Sequence, residues 1–245
     1  MKKILILLLL CSVSISGFSQ TIMNSTPEAA GFSSERLKRL DKAMNEWVDK
    51  GYMNGGAALI IRDGKIAYYK ANGFNDLDTK APLQKDGIFR IASQTKAITS
   101  VAIMMLFDEG KLLLTDPVSM YIPSFKKQSV LVNFNPADTT YTTVPAKREV
   151  TIKDLLTHTS GLGYAQIGSK EANAIYAKSN ITAGLGVKDR TLLQAMSKLG
   201  ELPLMHQPGE KFTYGLNTDV LGCLVEVISG VSLDEFFRTR IFEPL

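Results

Sequence analysis

The chain has 245 residues, 45% of them hydrophobic and 21% charged, with a net charge of +4. That balance offers no electrostatic case for nucleic acid or for an anionic membrane surface. With two histidines and two cysteines in all, no metal cluster of familiar spacing can be written.

Read from the amino terminus, residues 1–19 form an export signal. Lys2 and Lys3 make a basic start, Ile4 to Leu10 a short apolar run, and Gly17-Phe18-Ser19 a small-x-small cleavage pattern before Gln20. The apolar run is too short to span a bilayer. Lipid modification at Cys11 is disfavoured because Leu9 and Leu10 stand where small residues belong. The chain is therefore expected to be periplasmic or secreted, without a stable membrane anchor after cleavage. Cys223 is then the only cysteine left, so no internal disulfide forms. Its neighbours Leu221, Leu224 and Val225 predict a buried, inert thiol.

Ser33-Ser34 opens a helix whose apolar residues Leu37, Leu40, Met44, Trp47 and Val48 share a face, and Gly51 ends it; that face predicts packing on a sheet. Two apolar runs joined at Asp63-Gly64 predict a hairpin with strands at about 56–62 and 65–72. A helix follows from about 93 to 109, stopped by Gly110. It is apolar nearly all round and is expected in the interior. Residues 112–150, punctuated by Pro117, Pro123, Pro136 and Pro145, predict a loop-rich excursion with a short hairpin. A short helix is expected at 151–158, then a long Gly-punctuated segment of the kind that forms lids or mobile elements. Helices are expected again at 190–199, 217–229 and 233–241, the last with Ser232 and Glu235 at capping-box spacing. The regions are a signal at 1–19, the first part of an α/β sheet domain at 20–111, a mostly helical, loop-rich region at 112–212, and further helices at 213–245.

The chemistry centres on Ser93 and Lys96, which lie on one side of a helix and within mutual reach. A lysine at the head of an apolar helix is costly to bury unless it is paired. Desolvation lowers its pKa, so it can relay a proton, while the helix start offers a backbone N–H to an oxyanion. The spacing recurs at Ser124-Phe125-Lys126-Lys127, in a polar stretch without an apolar helix behind it, and that copy is read as structural.

The order Ser93-x-x-Lys96, "LLTHTSGL" at 155–162, "QPGEKFTYG" at 207–215 and "TDVLGCLVEVISG" at 218–230 resembles the serine β-lactamase-related hydrolases. That family includes class C β-lactamases, D-alanyl-D-alanine peptidases and family VIII esterases. The similarity runs from about residue 28 to the final "IFEPL". It implies an α+β, β-lactamase/transpeptidase-like fold, an antiparallel sheet flanked by helices with a mostly helical second region, and no cofactor. It also implies Ser93 as the acylated nucleophile, Lys96 as its proton partner, and Tyr214 as the tyrosine acting as base and then acid on a small-molecule ester, amide or β-lactam.

Two departures matter. The family's tyrosine is usually followed by Ser or Ala and then Asn, whereas here Gly215 and Leu216 follow and Asn217 comes one place late. That side chain normally helps hold the β-lactam amide, so its displacement points towards carboxylic ester hydrolysis, with β-lactamase or carboxypeptidase activity as the alternative. The family's third motif, of Lys-Thr-Gly or His-x-Gly type, has no counterpart after Tyr214. Residues 215–245 contain neither lysine nor histidine. The resemblance thus implies later sheet strands, and the chain is expected to be part of a longer protein, acylated slowly or not at all as it stands because a second oxyanion donor is missing.

A Ser-His-Asp triad using His158 or His206 with Ser160 or Ser93 is the rival chemistry, but no Gly-x-Ser-x-Gly elbow exists. His158 is read as holding a turn, His206 as an ordinary residue, and Asp154 and Asp219 as helix-start charges. The rival from another class is a non-catalytic wall-binding or accessory protein.

Overall fold

A computed structural model describes residues 22–182 and 189–245. The expected export signal with Cys11, and residues 183–188 of the Gly-punctuated segment, lie outside the described residues. The fold is mixed α+β and divides into two compact units between Arg90 and Ile91. The predicted 20–111 region therefore straddles that division, and the Ser93 helix belongs to the second unit.

The first unit is a sheet and one helix. Strands β1 (Met23–Asn24), β2 (Gly55–Arg62) and β3 (Lys65–Gly73) lie in the order β1-β3-β2, with β2 antiparallel and β1 parallel to β3. The hairpin turns at Asp63 (φ 49°) and Gly64 (φ 69°). Two successive positive φ values match the right-handed twist of the strands they join, which is why Asp-Gly signalled the turn. β1 carries no recognisable sequence pattern and was not foreseen. Helix α1 (Ser34–Asp49) starts at Ser33, whose side chain accepts the Arg36 N–H. It packs on β3, burying Met44, although Trp47, expected on the same face, is exposed. Asp41 of α1 accepts hydrogen bonds from Tyr68 (2.7 Å) and Lys70 (2.7 Å) of β3. Burial, with Asp41 beside it, pushes the Tyr68 hydroxyl up to about 12.

The second unit is built around one buried helix. Helix α2 (Thr95–Asp108) is followed by strands β4 (Ser129–Phe134) and β5 (Tyr141–Pro145), which pair antiparallel as the hairpin expected within 112–150. Then come α3 (Ile152–Leu156), α4 (Lys170–Lys178), α5 (Leu192–Gly200), α6 (Asn217–Ser229) and α7 (Leu233–Phe237). Helices α2, α3, α5 and α7 all pack on α6. An apolar helix covered on every side is a core element, and α6 buries Val220, Leu221, Cys223, Leu224 and Val225 almost completely. Burial pushes the Cys223 thiol up to about 12, so it is an unreactive core residue.

Several expectations are corrected. α2 is not buried all round: Thr99, Ala102, Ile103 and Leu106 face the core, while Val101 and Met104 are exposed. The segment after residue 159 holds a capped helix, α4, where the Ser169 side chain accepts the Ala172 N–H. Its Tyr176 is wholly buried and accepts the Gly163 N–H (3.0 Å). Glycine punctuation concealed that helix. Ser232 makes no capping hydrogen bond. Glu235 is instead held by Arg238, and Glu226 of α6 accepts the Leu233 N–H (3.0 Å).

Asp154 fixes the start of α3 and the chain leading to the site. It closes a capping box with Thr151 and takes a two-pronged ion pair from Arg148 (2.6 and 2.9 Å). It also accepts the Thr159 hydroxyl (3.2 Å). Burial opposes its charge, but Arg148 and Thr151 outweigh burial and hold the carboxyl below its ordinary range. Its contribution is thus present above the unfolded value of about 4 and disappears as pH falls through the lowered folded value. Arg148→Ala should cost about 2–3 kcal/mol in urea unfolding at pH 7, less than a fully buried pair because Arg148 is half exposed. The difference from the parent should shrink on acidification.

Candidate active site

Ser93 stands in a short 3-10 turn, Ala92–Gln94, that runs directly into α2. The expected helix start at residue 93 is therefore a tighter turn, with the α-helix beginning at Thr95. Ala92 has φ 45°, a left-handed conformation that costs a residue with a Cβ about 1–3 kcal/mol. Strain immediately before an exposed serine hydroxyl is a mark of functional placement. Lys96, one turn on, is half-buried, and its Nζ lies 3.4 Å from Ser93 Oγ.

The third group arrives from far along the chain. Residues 158–163 lie alongside 213–216, bonded through the Thr213 N–H to the His158 carbonyl (2.8 Å) and the Leu216 N–H to the Gly163 carbonyl (3.0 Å). A Cβ at Gly215 would overlap the Leu162 carbonyl, so the two segments can approach this closely only with glycine there. Tyr214 is thereby delivered with its hydroxyl 2.7 Å from Ser93 Oγ. The structure thus brings together Ser93, Lys96 and Tyr214.

The electrostatics suit proton transfer. Hydrogen bonding from Lys96, then from Ser93, together with the Lys96 charge, holds the Tyr214 phenol below its ordinary value against opposition from burial and Asp219. Lys96 Nζ lies 4.9 Å from the centre of the Tyr214 ring. Two rings lie nearly parallel to that ring, His158 at 5.2 Å and 22° and Tyr164 at 5.7 Å and 17°. Ser93, Lys96, Thr99, Tyr164 and Asp219 line a cavity of ≈ 230 Å³. Tyr214 and Tyr164 also border a second cleft of ≈ 520 Å³ that reaches Leu131 to Phe134 of β4 and Lys211. A serine hydroxyl touching a phenol of lowered pKa and an ammonium can become a nucleophile, and the flanking clefts give a carbonyl compound room to bind.

Asp219 is more than a helix-start charge. It lines the Ser93 cavity, and burial pushes its carboxyl up to about 6, with the Lys96 charge pulling the other way. A carboxyl whose folded pKa exceeds its unfolded value favours folding below the unfolded value and loses that contribution as pH rises through about 6. Asp219→Asn should therefore stabilise the chain at pH 7.5, by about 3 kcal/mol at most, with the gain vanishing near pH 4. Urea midpoints at the two pH values check this. A residue kept at such a cost belongs with the site.

The remaining polar residues hold structure, as the sequence reading of Ser124 expected. Ser124 sits in a 3-10 turn beside buried Phe125, its hydroxyl buried rather than exposed, which leaves it no route to a substrate. Ser160 is wholly buried, and its hydroxyl is bonded to Asn217 and to the Leu162 N–H, which removes the rival triad built on it. His206 is buried and bonded to the Gln207 carbonyl (2.9 Å) and the Thr213 hydroxyl (2.9 Å), so it braces the residue before Tyr214. His158 and Tyr164 are the groups that the sequence did not assign to Tyr214. Among the described residues, no group of three or more His, Cys, Asp and Glu is placed to hold a metal, and no helix is long and apolar enough to cross a membrane.

Most of the chain is similar to known proteins. A family model described as Beta-lactamase matches residues 40–245. Esterase EstB of Burkholderia gladioli is 33% identical over 207 residues, covering 84% of this chain and 49% of its own. A putative D-alanyl-D-alanine carboxypeptidase of Escherichia coli K12 is 31% identical over 244 residues, covering 96% of this chain and 51% of its own. Among solved structures, EstCE1, described as a hydrolase with promiscuous acyltransferase activity, superposes with a TM-score of 0.72 at 28% identity, over 89% of this chain and 52% of that one. The chain spans about half the length of the curated relatives it matches. The fold is β-lactamase/transpeptidase-like, and with a match running from within α1 to Leu245, the chain belongs to the Beta-lactamase family, which includes serine hydrolases of esterase and carboxypeptidase type.

Proposed function

We propose that this chain is the catalytic part of a serine ester hydrolase that works through an acyl-enzyme on Ser93. The observation that carries the reading is the convergence on Ser93 Oγ of the Tyr214 hydroxyl at 2.7 Å and the Lys96 ammonium at 3.4 Å. Ser93 gives its proton to the Tyr214 phenolate as Oγ bonds to the ester carbonyl carbon. Lys96 holds the phenolate before the transfer and the reacting oxygen after it. The tetrahedral intermediate then collapses, the C–O bond to the alcohol breaks, and Tyr214 returns the proton to the departing oxygen. Water repeats the sequence on the acyl-enzyme, releasing the carboxylic acid and restoring Ser93. No step calls for a cofactor.

The preference for esters rests on Asn217. In the β-lactam-cleaving pattern an asparagine near the tyrosine is free to hold the substrate amide, but this one is wholly buried and bonded to His158, Ser160 and Thr213. An ester lacks the N–H that such a contact would serve. The likeness to the proteins named EstB and EstCE1 supports the same preference. Likeness to the protein named as a putative carboxypeptidase favours a second reading, D-alanyl-D-alanine hydrolysis or β-lactam turnover. As part of the same proposal, the leader expected at residues 1–19 assigns the activity to the periplasm or the medium.

The test compares p-nitrophenyl acetate, nitrocefin and a D-alanyl-D-alanine peptide on the full chain, with Ser93→Ala as control. Serine-dependent ester turnover, with the other two substrates weaker, is expected. Preferential cleavage of nitrocefin or the peptide would overturn the ester preference, and ester turnover that survives Ser93→Ala would overturn the acyl-enzyme.

A further inference from the structure

The "HTSGL" segment has no part in the reaction as written, yet His158 and Ser160 are both bonded to one buried side chain, Asn217. His158 has φ 55°, a left-handed conformation uncommon for residues other than glycine. Its ring lies 5.2 Å from that of Tyr214 at 22°, and 5.6 Å from that of Phe212 at 57°. Behind it stands Asn217, the buried first residue of α6.

The orientation of the Asn217 amide follows from its neighbours. Nδ2 faces the Thr213 carbonyl at 3.4 Å, and the flipped amide would set two carbonyl oxygens against each other there. Oδ1 therefore faces Ser160, whose hydroxyl donates to it while accepting the Leu162 N–H at 3.0 Å. The second N–H of Nδ2 then points at Nδ1 of His158, 3.0 Å away. An imidazole nitrogen that accepts from an amide carries no proton, so the ring hydrogen sits on Nε2.

We propose that Ser160 and Asn217 form a buried relay that locks His158 as a neutral, Nε2-protonated imidazole, and that His158 in this form is a positioning residue for the Tyr214 phenol. The proposal rests on the assignment of Tyr214 made above. Its electrostatic sense is plain. Burial, and then the Lys96 charge, already push the histidine below its ordinary value. Among the described residues, the other ionisable groups facing the phenol are Asp219 of α6, Tyr164 and, across the second cleft, Lys211. A protonated His158 would set N–H against N–H at Asn217 and bring a second cation to the ring that Lys96 already serves. The relay keeps a second positive charge off the ring face next to the one that Lys96 serves.

Asn217→Asp tests this with almost no change in shape, because it replaces the donor facing Nδ1 by an acceptor and so invites a proton onto His158. ¹⁵N-histidine NMR of the folded full chain gives a readout that is independent of turnover. The chain has only two histidines, and His158→Phe, which keeps a ring beside Tyr214, assigns the signals. His206, whose Nδ1 donates to the Gln207 carbonyl and whose Nε2 faces the Thr213 hydroxyl, supplies the second set of signals. In the parent chain His158 should be Nε2-protonated and should not titrate between pH 8 and pH 5, roughly. In Asn217→Asp it should titrate within that range. There kcat for p-nitrophenyl acetate should fall about ten- to hundredfold on the acid side, with KM nearly unchanged, and His158→Phe should lower kcat without the new ionisation.

An Nδ1-protonated or ordinarily titrating His158 in the parent chain overturns the relay, whether or not Asn217→Asp folds. Ester turnover that depends on Ser93 but keeps its pH profile in both variants also overturns it, while leaving the hydrolase reading intact. Turnover that survives Ser93→Ala sinks the hydrolase reading instead, and the NMR result then decides the relay alone.

Discussion

Ser93→Ala should remove ester turnover by a factor on the order of 10⁶, the loss seen when the nucleophile of a serine hydrolase is deleted. The magnitude follows from the position of Ser93 at the meeting point of the site. Its oxygen lies within hydrogen-bonding distance of both the Tyr214 hydroxyl and the Lys96 side chain, directly after the strained Ala92. The side chain is exposed, so its removal leaves no cavity and the urea midpoint should stay within about 0.5 kcal/mol of the parent. Turnover of p-nitrophenyl acetate, measured with the folding check, decides it. Retention of more than a small fraction of the activity would mean that the hydrolysis belongs to another group.

Tyr214→Phe should lower kcat by about 10²–10⁴, the usual worth of a positioned general base. The substitution keeps the ring that packs with His158 and Tyr164 and lies 4.9 Å from Lys96 Nζ. It deletes only the hydroxyl 2.7 Å from Ser93. KM should therefore change little, since a loss confined to kcat marks an interaction made in the transition state. The pH profile gives a second check. Because Lys96 heads the causes holding the phenol below its ordinary value, activity should rise as Tyr214 loses its proton. Lys96→Met should move that rising limb to higher pH. A limb that stays in place would assign it to a different group.

Much of this architecture was legible in the sequence where a local rule leaves no choice. Asp63-Gly64 marked the hairpin because both residues must take positive φ, and Ser33 marked α1 because a serine there satisfies a helix-end N–H. Ser93 and Lys96 were visible as a pair because three residues along a helical turn put two side chains side by side. Tyr214 was visible only through the order of motifs, since nothing local in "KFTYG" says that a phenol 121 positions further along the chain returns to Ser93. Long-range meetings of this kind are set by packing, and the backbone bonds from 158–163 to 213–216 that fix the tyrosine leave no periodic trace.

The misreadings have the same origin. Asp219 and Asp154 look alike in sequence, each an acid in the first turn of a helix. Only tertiary contacts separate them: Asp154 meets Arg148 and becomes a structural tie, whereas Asp219 faces the Ser93 cavity with Lys96 as the charge acting on it. Asn217 looked displaced by one residue, and what the displacement does is turn its amide inward to His158 and Ser160. Glycines hid α4, and apolar composition overstated the burial of α2, because composition records neither the helix caps nor which face of a helix meets a neighbour.

Acylation mapping is the most direct test that Ser93 is the nucleophile. Treating the folded full chain with a fluorophosphonate and reading intact mass and then peptide masses should give one adduct, on the peptide containing Ser93, that is absent in Ser93→Ala and much slower to form in Tyr214→Phe. A folded chain that takes no adduct, or takes it on Ser124 or Ser160, would contradict the account.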